Sequence, residues 1–590
     1  MAGSCVRALL QLLVVVLSIR FSIATPHMLR LSASEIAALE AAAPPPPPDQ
    51  PTTIFEVDRP HRPPPGSFGP CSTLLLTHSF AFTYGKPPVT AAYSPPPCLA
   101  AAGGRASAIS LAVLEWRATC RGVQYDRIFG VWLGGAELLR SCTAEPRPDG
   151  VVWSVSKDVT KYASLLAARN STLAVYLGNL VDDKYTGVFH ANVTLHLYFR
   201  HPPPPPQPGL GPADLIVPIS QSLPLNDALW FQITDDADIG SASLAVPANT
   251  YRAVLEVYLS YHSDDEFWYT DRLDVDGSGP FREVTVSIDG DLVGAVWPFP
   301  VIYTGGINPL LWQPITGIGS FSLPSYDIEL TPFLGMLLDG EQHEFQFAVT
   351  NGRNTWFVDA NLHLWLDPRG TAATASVTSY DAPPVDVAIA ASGVELYYTT
   401  AFRRVSAAGW VQTASYGKIT ATWAQRLSYE NTNTMQDGRA QAVNQSTDAY
   451  AGVHVADRAG VLYSQEEEQG FALYMFVGVV NQTSNDSYTV ARNVRLGFGE
   501  ERLAAGRPGF WSRSLSNAQD CTVSVDLEHG DASWGARQTY RYEASDACYF
   551  RNVTSSGSAV VSDHSDEVCV KGPPAPAGGV ADSGAALLSS

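Results

Sequence analysis

The chain has 590 residues, and its 58 Asp and Glu outnumber 37 Lys and Arg to give a formal net charge of −21. A polyanion is repelled by phosphate backbones, which sets nucleic acid aside as a partner. Hydrophobic residues make up 45% of the chain and charged ones 16%, so large cores are available, and the length calls for about two to four domains rather than one.

Arg7, the apolar run Ala8 to Leu17 and the small-x-small triplet Ser22-Ile23-Ala24 form the three parts of a cleaved export signal over residues 1–24. Arg20 interrupts the apolar run, and a spanning helix needs ~20 apolar residues. No later segment is long and apolar enough to span a bilayer, so no membrane partner is expected. Residues 25–51 read as a leader or propeptide. Ser32-Ala33-Ser34-Glu35 opens a short helix with a capping box, and Pro44 to Pro48 stop it.

From residue 52 the pattern is β. In Asn192 to Phe199, Val193, Leu195, Leu197 and Phe199 share one face. Pro202 to Pro206 then form a stiff spacer, dividing a first β domain, 52–201, from a second, 213–370. In the second, Tyr251, Ala253, Leu255, Val257, Leu259 and Tyr261 share a strand face. Val284, Val286 and Ile288 share another, with Asp289-Gly290 as a hairpin turn signal. A third β-rich domain spans 371–570, followed by a disordered tail, 571–590. Many strands and few helical periods predict an all-β fold of antiparallel sandwiches.

Six N-x-S/T sites follow the signal, at Asn170, Asn192, Asn444, Asn481, Asn485 and Asn552, and in an exported chain they are glycosylation candidates. Of eight cysteines, Cys5 leaves with the signal. Cys71, Cys98, Cys120 and Cys142 cluster early, and Cys521, Cys548 and Cys569 late. Disulfides within each cluster are expected, with one thiol left over. No pair has C-x-x-C spacing, so zinc is not supported.

Phosphate loops and H-E-x-x-H or G-x-S-x-G motifs are absent from the sequence, leaving carboxylate chemistry. Val123 to Leu133 reads as a strand ending in the Gly134-Gly135 turn, with Val123, Tyr125, Phe129, Val131 and Leu133 on a buried face. Asp126, flanked by apolar residues, is a candidate base, and an Asp satisfied by turn amides is the alternative. A second candidate, His262-Ser263-Asp264-Asp265-Glu266-Phe267-Trp268-Tyr269, joins three acids to aromatics. That mixture suits sugar rings and hydroxyls, and equally a solvated loop. Gly294 to Trp312, rich in aromatics and proline, is either a cleft wall or core.

These stretches resemble the plant and fungal acidic peptide:N-glycanases, the peptide:N-glycanase A family. The resemblance rests on Phe82-Thr83-Tyr84-Gly85-Lys86-Pro87-Pro88, Asp126-Arg127-Ile128 through Gly135, Thr143-Ala144-Glu145-Pro146, Asp264 through Tyr269, Gly279-Pro280-Phe281-Arg282-Glu283 and Thr304-Gly305-Gly306, within about residues 52–570. A weaker similarity reaches the secreted bacterial peptide:N-glycanase. Together they imply two adjacent jelly rolls plus a C-terminal β domain, with the site at the jelly-roll interface.

The implied reaction is hydrolysis of the Asn side-chain amide to N-acetylglucosamine bond in N-linked glycopeptides. It needs no cofactor, leaves Asp in the peptide and tolerates core α1,3-fucose. By that resemblance Asp126 and Glu266 are the catalytic acids, with Glu283 a rival to Glu266. Arg127, His262, Asp264, Asp265 and Trp268 are substrate contacts. The bacterial site's further acid has no clean counterpart in the stretch Leu177 to Asp183. Family likeness also implies an acidic extracellular or vacuolar setting and cleavage of some members into two chains. A glycan-binding lectin and a two-carboxylate glycosidase are the rival readings.

Overall fold

A computed structural model describes residues 51–200, 209, 211–393, 395–482, 488–507 and 509–569. The export signal, the leader up to residue 50, the polyproline run and the tail lie outside them, as does Asn485.

Two sheets face each other between Thr52 and Phe199. One runs in the order Thr52–Thr53, Val151–Asp158, Ile109–Arg121, Val188–Phe199, Phe68–Phe80. The other runs Val89–Tyr93, Ser171–Leu177, Ile128–Leu133, Ala136–Cys142. Apart from the short edge strand Thr52–Thr53 and the hairpin Ile128–Cys142, whose two arms share a sheet, the chain alternates between sheets, in the order of a jelly roll. The same order recurs between Leu215 and Leu366. One sheet is Leu215–Ile219, Arg353–Leu366, Thr250–Tyr261, Ser325–Glu329, with Phe231–Asp235 also on Arg353–Leu366. The other is Gly240–Leu244, His343–Thr350, Glu283–Ile288, Asp291–Val296. The chain is thus all-β, as its residue pattern predicts.

Alternation explains the strands. In Val188–Phe199 the residues Phe189, Ala191, Val193, Leu195, Leu197 and Phe199 are all buried, which fixes the register, because a slip by one residue would turn them to solvent. Thr250–Tyr261 is buried on both faces. Its apolar side fills the core, and its polar side, Arg252, Glu256, Tyr258 and Ser260, is also covered. Three of these meet the first sandwich: Tyr162 Oη donates to Glu256 (2.6 Å), Lys157 donates to the Tyr258 hydroxyl (2.9 Å), and Arg140 donates to Ser260 (3.3 Å). Arg140 also donates to the Phe357 carbonyl (2.6 Å), and Trp132 Nε1 donates to Asp359 (2.9 Å). A hydrogen-bonded polar layer therefore joins the two jelly rolls.

The third unit is one 11-stranded sheet from Thr374–Asp381 to Ala559–Asp566, a meander of consecutive strands from Leu396–Thr413 onward. At ~3.3 Å per residue, the 20-residue strand Gly417–Gln436 spans about 65 Å. Alternate residues of these strands are buried against the second jelly roll. Phe299 packs on Phe471 and Phe498 with ring centroids 5.5 and 5.4 Å away. Gln425 accepts from the Ala295 N–H (3.0 Å) and donates to its carbonyl (2.8 Å). One hydrophobic core runs through all three units.

Two disulfides form, Cys71–Cys98 and Cys548–Cys569. Cys120, Cys142 and Cys521 are free and buried, which corrects the expectation of a single leftover thiol. Each sits in a different sheet. Among the sequons, Asn170, Asn192 and Asn444 are exposed and Asn552 is half-buried. No described helix is long and apolar enough to cross a membrane.

Candidate active site

The strand expected from Val123 begins only at Ile128. Asp126 lies in the segment just before it, and Val123 and Tyr125, expected inside, are exposed. The inward residue is Gln124, 2% exposed. Its amide donates to the Leu180 carbonyl (2.6 Å), while its oxygen accepts from Arg127 (2.7 Å) and the Tyr125 N–H (3.0 Å). This amide braces the turn, so Tyr125 swings outward to meet Tyr185, ring centroids 4.9 Å apart with a 2.7 Å hydroxyl–hydroxyl bond. Asp182 accepts from the Lys184 and Tyr185 N–H groups (2.8 and 2.7 Å), capping the turn that presents Tyr185. It is a turn acid and not a counterpart to Asp126.

A hairpin pairs Ile128 with Cys142 and turns at Gly134-Gly135. Continued past Ile128, this register brings Asp126 beside Glu145. Glu145 accepts the Asp126 N–H (2.6 Å), and Thr143 Oγ1 accepts the Arg127 N–H (2.9 Å). From the second jelly roll, the Gly305 N–H donates to Asp126 Oδ2 (3.0 Å), and Thr304 donates to the Thr143 carbonyl (2.7 Å). The Cys142 thiol lies 3.5 Å from the same Oδ2. Both units thus build the surroundings of Asp126.

Burial pushes Asp126 above the usual carboxylate range, while the Gly305 N–H, Cys142 and Arg127 pull it back. Burial, then the neighbouring Asp126 charge, pushes Glu145 well above its ordinary value; Glu266 adds to the push. Burial and Asp126 likewise keep Cys142 a thiol. Arg127 Nε is buried with no protein partner among the described residues.

Glu266 follows the turn Ser263–Asp265 at the end of Thr250–Tyr261. Glu266 acts electrostatically on Tyr303 and Tyr269 as well as on Glu145, so it lies near the same group of residues. Its neighbour Asp265 is fully buried and turns the other way. Asp265 takes a two-pronged bond from Arg282 (2.9 and 2.7 Å), the Arg353 N–H (2.8 Å) and Trp356 Nε1 (2.7 Å). Asp271 adds a second acceptor for Arg282 (2.7 Å). On the third sheet, Asn431 and Asn433 donate to the Tyr269 and Thr270 carbonyls (both 2.9 Å). The long sheet therefore grips the loop that carries Glu266.

Of the other expected contacts, Asp264 is exposed on the same turn. His262 is half-buried, stacked on Tyr303 (5.4 Å, 8°) and bonded to Ser260 (2.9 Å). Burial and Arg140 lower it to about 3, so it is neutral near pH 7. Trp268, 1% exposed, packs on Tyr261 and Tyr429. Glu283 is fully buried, paired with Arg403 (2.6 Å) and accepting from Trp297 (2.9 Å). The structure brings Asp126, Arg127, His262 and Glu266 together and commits Asp265, Trp268 and Glu283 to packing. Glu145, Tyr125 and Tyr185 join the site without having been expected there. Most of Gly294 to Trp312 is buried, and its Tyr303-Thr304-Gly305-Gly306 stretch reaches the site.

Two jelly rolls with acids converging at their junction define a class of β-sandwich hydrolase. The sequence places it more narrowly. The chain matches the family described as peptide N-acetyl-beta-D-glucosaminyl asparaginase amidase A over residues 60–383, and that family's C-terminal domain over 396–467. It is 45% identical to peptide-N4-(N-acetyl-beta-glucosaminyl)asparagine amidase A of Prunus dulcis over 544 residues, covering 88% of this chain and 94% of that protein. The chain belongs to this amidase A family. PNGase F, a glycosylasparaginase from Flavobacterium meningosepticum, is similar at 14% identity and a TM-score of 0.35, over 51% of this chain and 96% of that one. PNGF-II is similar at 14% identity and a TM-score of 0.31, over 43% and 57% respectively.

Proposed function

We propose that the chain is a peptide:N-glycanase that hydrolyses the amide bond between an Asn side chain and the first N-acetylglucosamine of an N-linked glycopeptide. The observation that carries this reading, beside family membership, is the half-buried Asp126 held at the jelly-roll junction by the Gly305 amide. Amide hydrolysis needs a base for water, charge stabilisation at the carbonyl and help for the departing amine. Asp126 activates the water. Arg127, with its unpaired buried Nε, is poised to bind a substrate oxygen. Glu266 hydrogen-bonds the glycosyl linkage and assists the nitrogen. Asp264 and neutral His262 line the same mouth, and the Tyr125–Tyr185 pair, its Tyr125 ring exposed, offers apolar faces to sugar C–H groups. The junction cannot enclose a linkage still buried in a folded protein, so glycopeptides are preferred over native glycoproteins. Tolerance of core α1,3-fucose and action after export into an acidic compartment complete the proposal.

The test is to incubate one N-glycopeptide with the protein and weigh both products. A peptide bearing Asp where Asn stood, together with an intact glycan, is expected. A peptide retaining one N-acetylglucosamine would indicate a glycosidase. Binding without products would indicate a lectin.

A further inference from the structure

Asp126 and Glu145 enter the site from the two arms of one hairpin and converge on one point. A methyl group placed on Gly305 would lie 2.6 Å from Asp126 Oδ1 and 3.0 Å from Glu145 Oε2. Two half-buried carboxyls converging on one point oppose each other's ionisation, so one of them holds a proton. The donors decide which one. The Gly305 N–H and the Cys142 thiol both address Asp126 Oδ2, favouring its ionised form. Glu145 receives a single backbone N–H. Arg127, the cation beside both, gives its guanidinium to Gln124 (2.7 Å). Burial and the Asp126 charge push Glu145 the further of the two, in agreement with the donor count. The cleft therefore holds one base and one acid.

We propose that Glu145 is the catalytic acid that protonates the departing nitrogen. This rests on the amidase reading and on Asp126 as its base. Water attacks the Asn side-chain carbonyl carbon and gives one proton to the Asp126 carboxylate, forming a tetrahedral intermediate. The C–N bond then breaks as the Glu145 carboxyl hydrogen passes to nitrogen. The products are the glycosylamine and a new Asp carboxyl group. Asp126 is left protonated and Glu145 ionised, and proton exchange with solvent resets both. Glu266 acts as a hydrogen-bond partner to the linkage and not as the proton source.

Glu145→Gln keeps an oxygen for the Asp126 N–H but has no acid proton. It is expected to lower kcat at least ~100-fold with KM little changed, and to abolish the alkaline limb of the kcat–pH profile. Glu145→Asp should recover part of the rate and show a shifted alkaline limb. If the Gln variant does not fold, the Asp variant's limb decides. A kcat within about threefold of wild type and an unmoved alkaline limb would overturn the proposal. Asp126→Asn separates the two levels. An inactive Asp126→Asn beside a normal Glu145→Gln removes only the acid assignment, whereas full activity in Asp126→Asn removes the base reading beneath it.

Discussion

At Gly305 the crowding of Asp126 and Glu145 leaves room for no side chain at all. The need for glycine there is spatial, because an added Cβ would displace the carboxyl groups. Misplacing reacting groups by about 1 Å can cost ~100-fold in rate. Gly305→Ala is therefore expected to lower kcat/KM by about that factor while thermal unfolding moves little; wild-type kinetics would contradict the crowding. His262 carries a stability prediction. Held near 3 in the fold against about 6.5 in an unfolded chain, it binds fewer protons folded than unfolded between those values. Its contribution to stability is present above pH 6.5 and is lost as pH falls toward 3, by up to about 1.4 kcal/mol per pH unit. His262→Phe should keep the stack on Tyr303 and flatten the fall in Tm between pH 6.5 and 4. An unchanged slope would show that other groups set it.

The turn bearing Glu266 works as an element because its neighbours are immobilised. Arg282, buried with Asp265 and Asp271, anchors it from below, and the amides of Asn431 and Asn433 hold its far end. Arg282→Ala removes the cationic side chain bonded to Asp265 and leaves Asp271 with Arg353 alone, and is expected to cost about 3–5 kcal/mol, read as a large drop in Tm, with a fall in kcat at temperatures where the variant is folded. A Tm within a degree or two of wild type would contradict the anchor. Such elements were legible to different degrees. The alternation in Asn192 to Phe199 announced a strand correctly, since its signal is local, and the strand runs back to Val188. Glu283 looked like a rival to Glu266 for the same local reason, but the partner that commits it, Arg403, lies 120 residues away. Glu145 was within reach of the sequence, because folding the Gly134-Gly135 hairpin brings residues 126 and 145 to one end. Reading Val123 to Leu133 as one uninterrupted strand hid this, because it ignored Gln124, whose amide ends the strand at Ile128.

For the whole molecule, β-sandwiches were readable from the residue pattern and the jelly-roll pair from family resemblance, whereas the covered polar face of Thr250–Tyr261 was not. Arg252, Glu256, Tyr258 and Ser260 alternate as a solvent face would, and only the neighbouring units bury them. The third block likewise gave no hint of its task. Its inner-face amides reach back to the Glu266 loop, so one sheet covers the second jelly roll and stiffens the site. The three units thus converge on Asp126 and Glu266, one carboxylate from each jelly roll, with the long sheet as backing. The most direct test of this arrangement is the rate of glycopeptide hydrolysis by Asp126→Asn, compared with wild type at equal Tm. The amide oxygen of Asn can still accept from Gly305 but cannot take a proton from water, so a loss of ~100-fold or more in kcat/KM is expected. A folded variant that still converts the glycosylated Asn to Asp at the wild-type rate would contradict it.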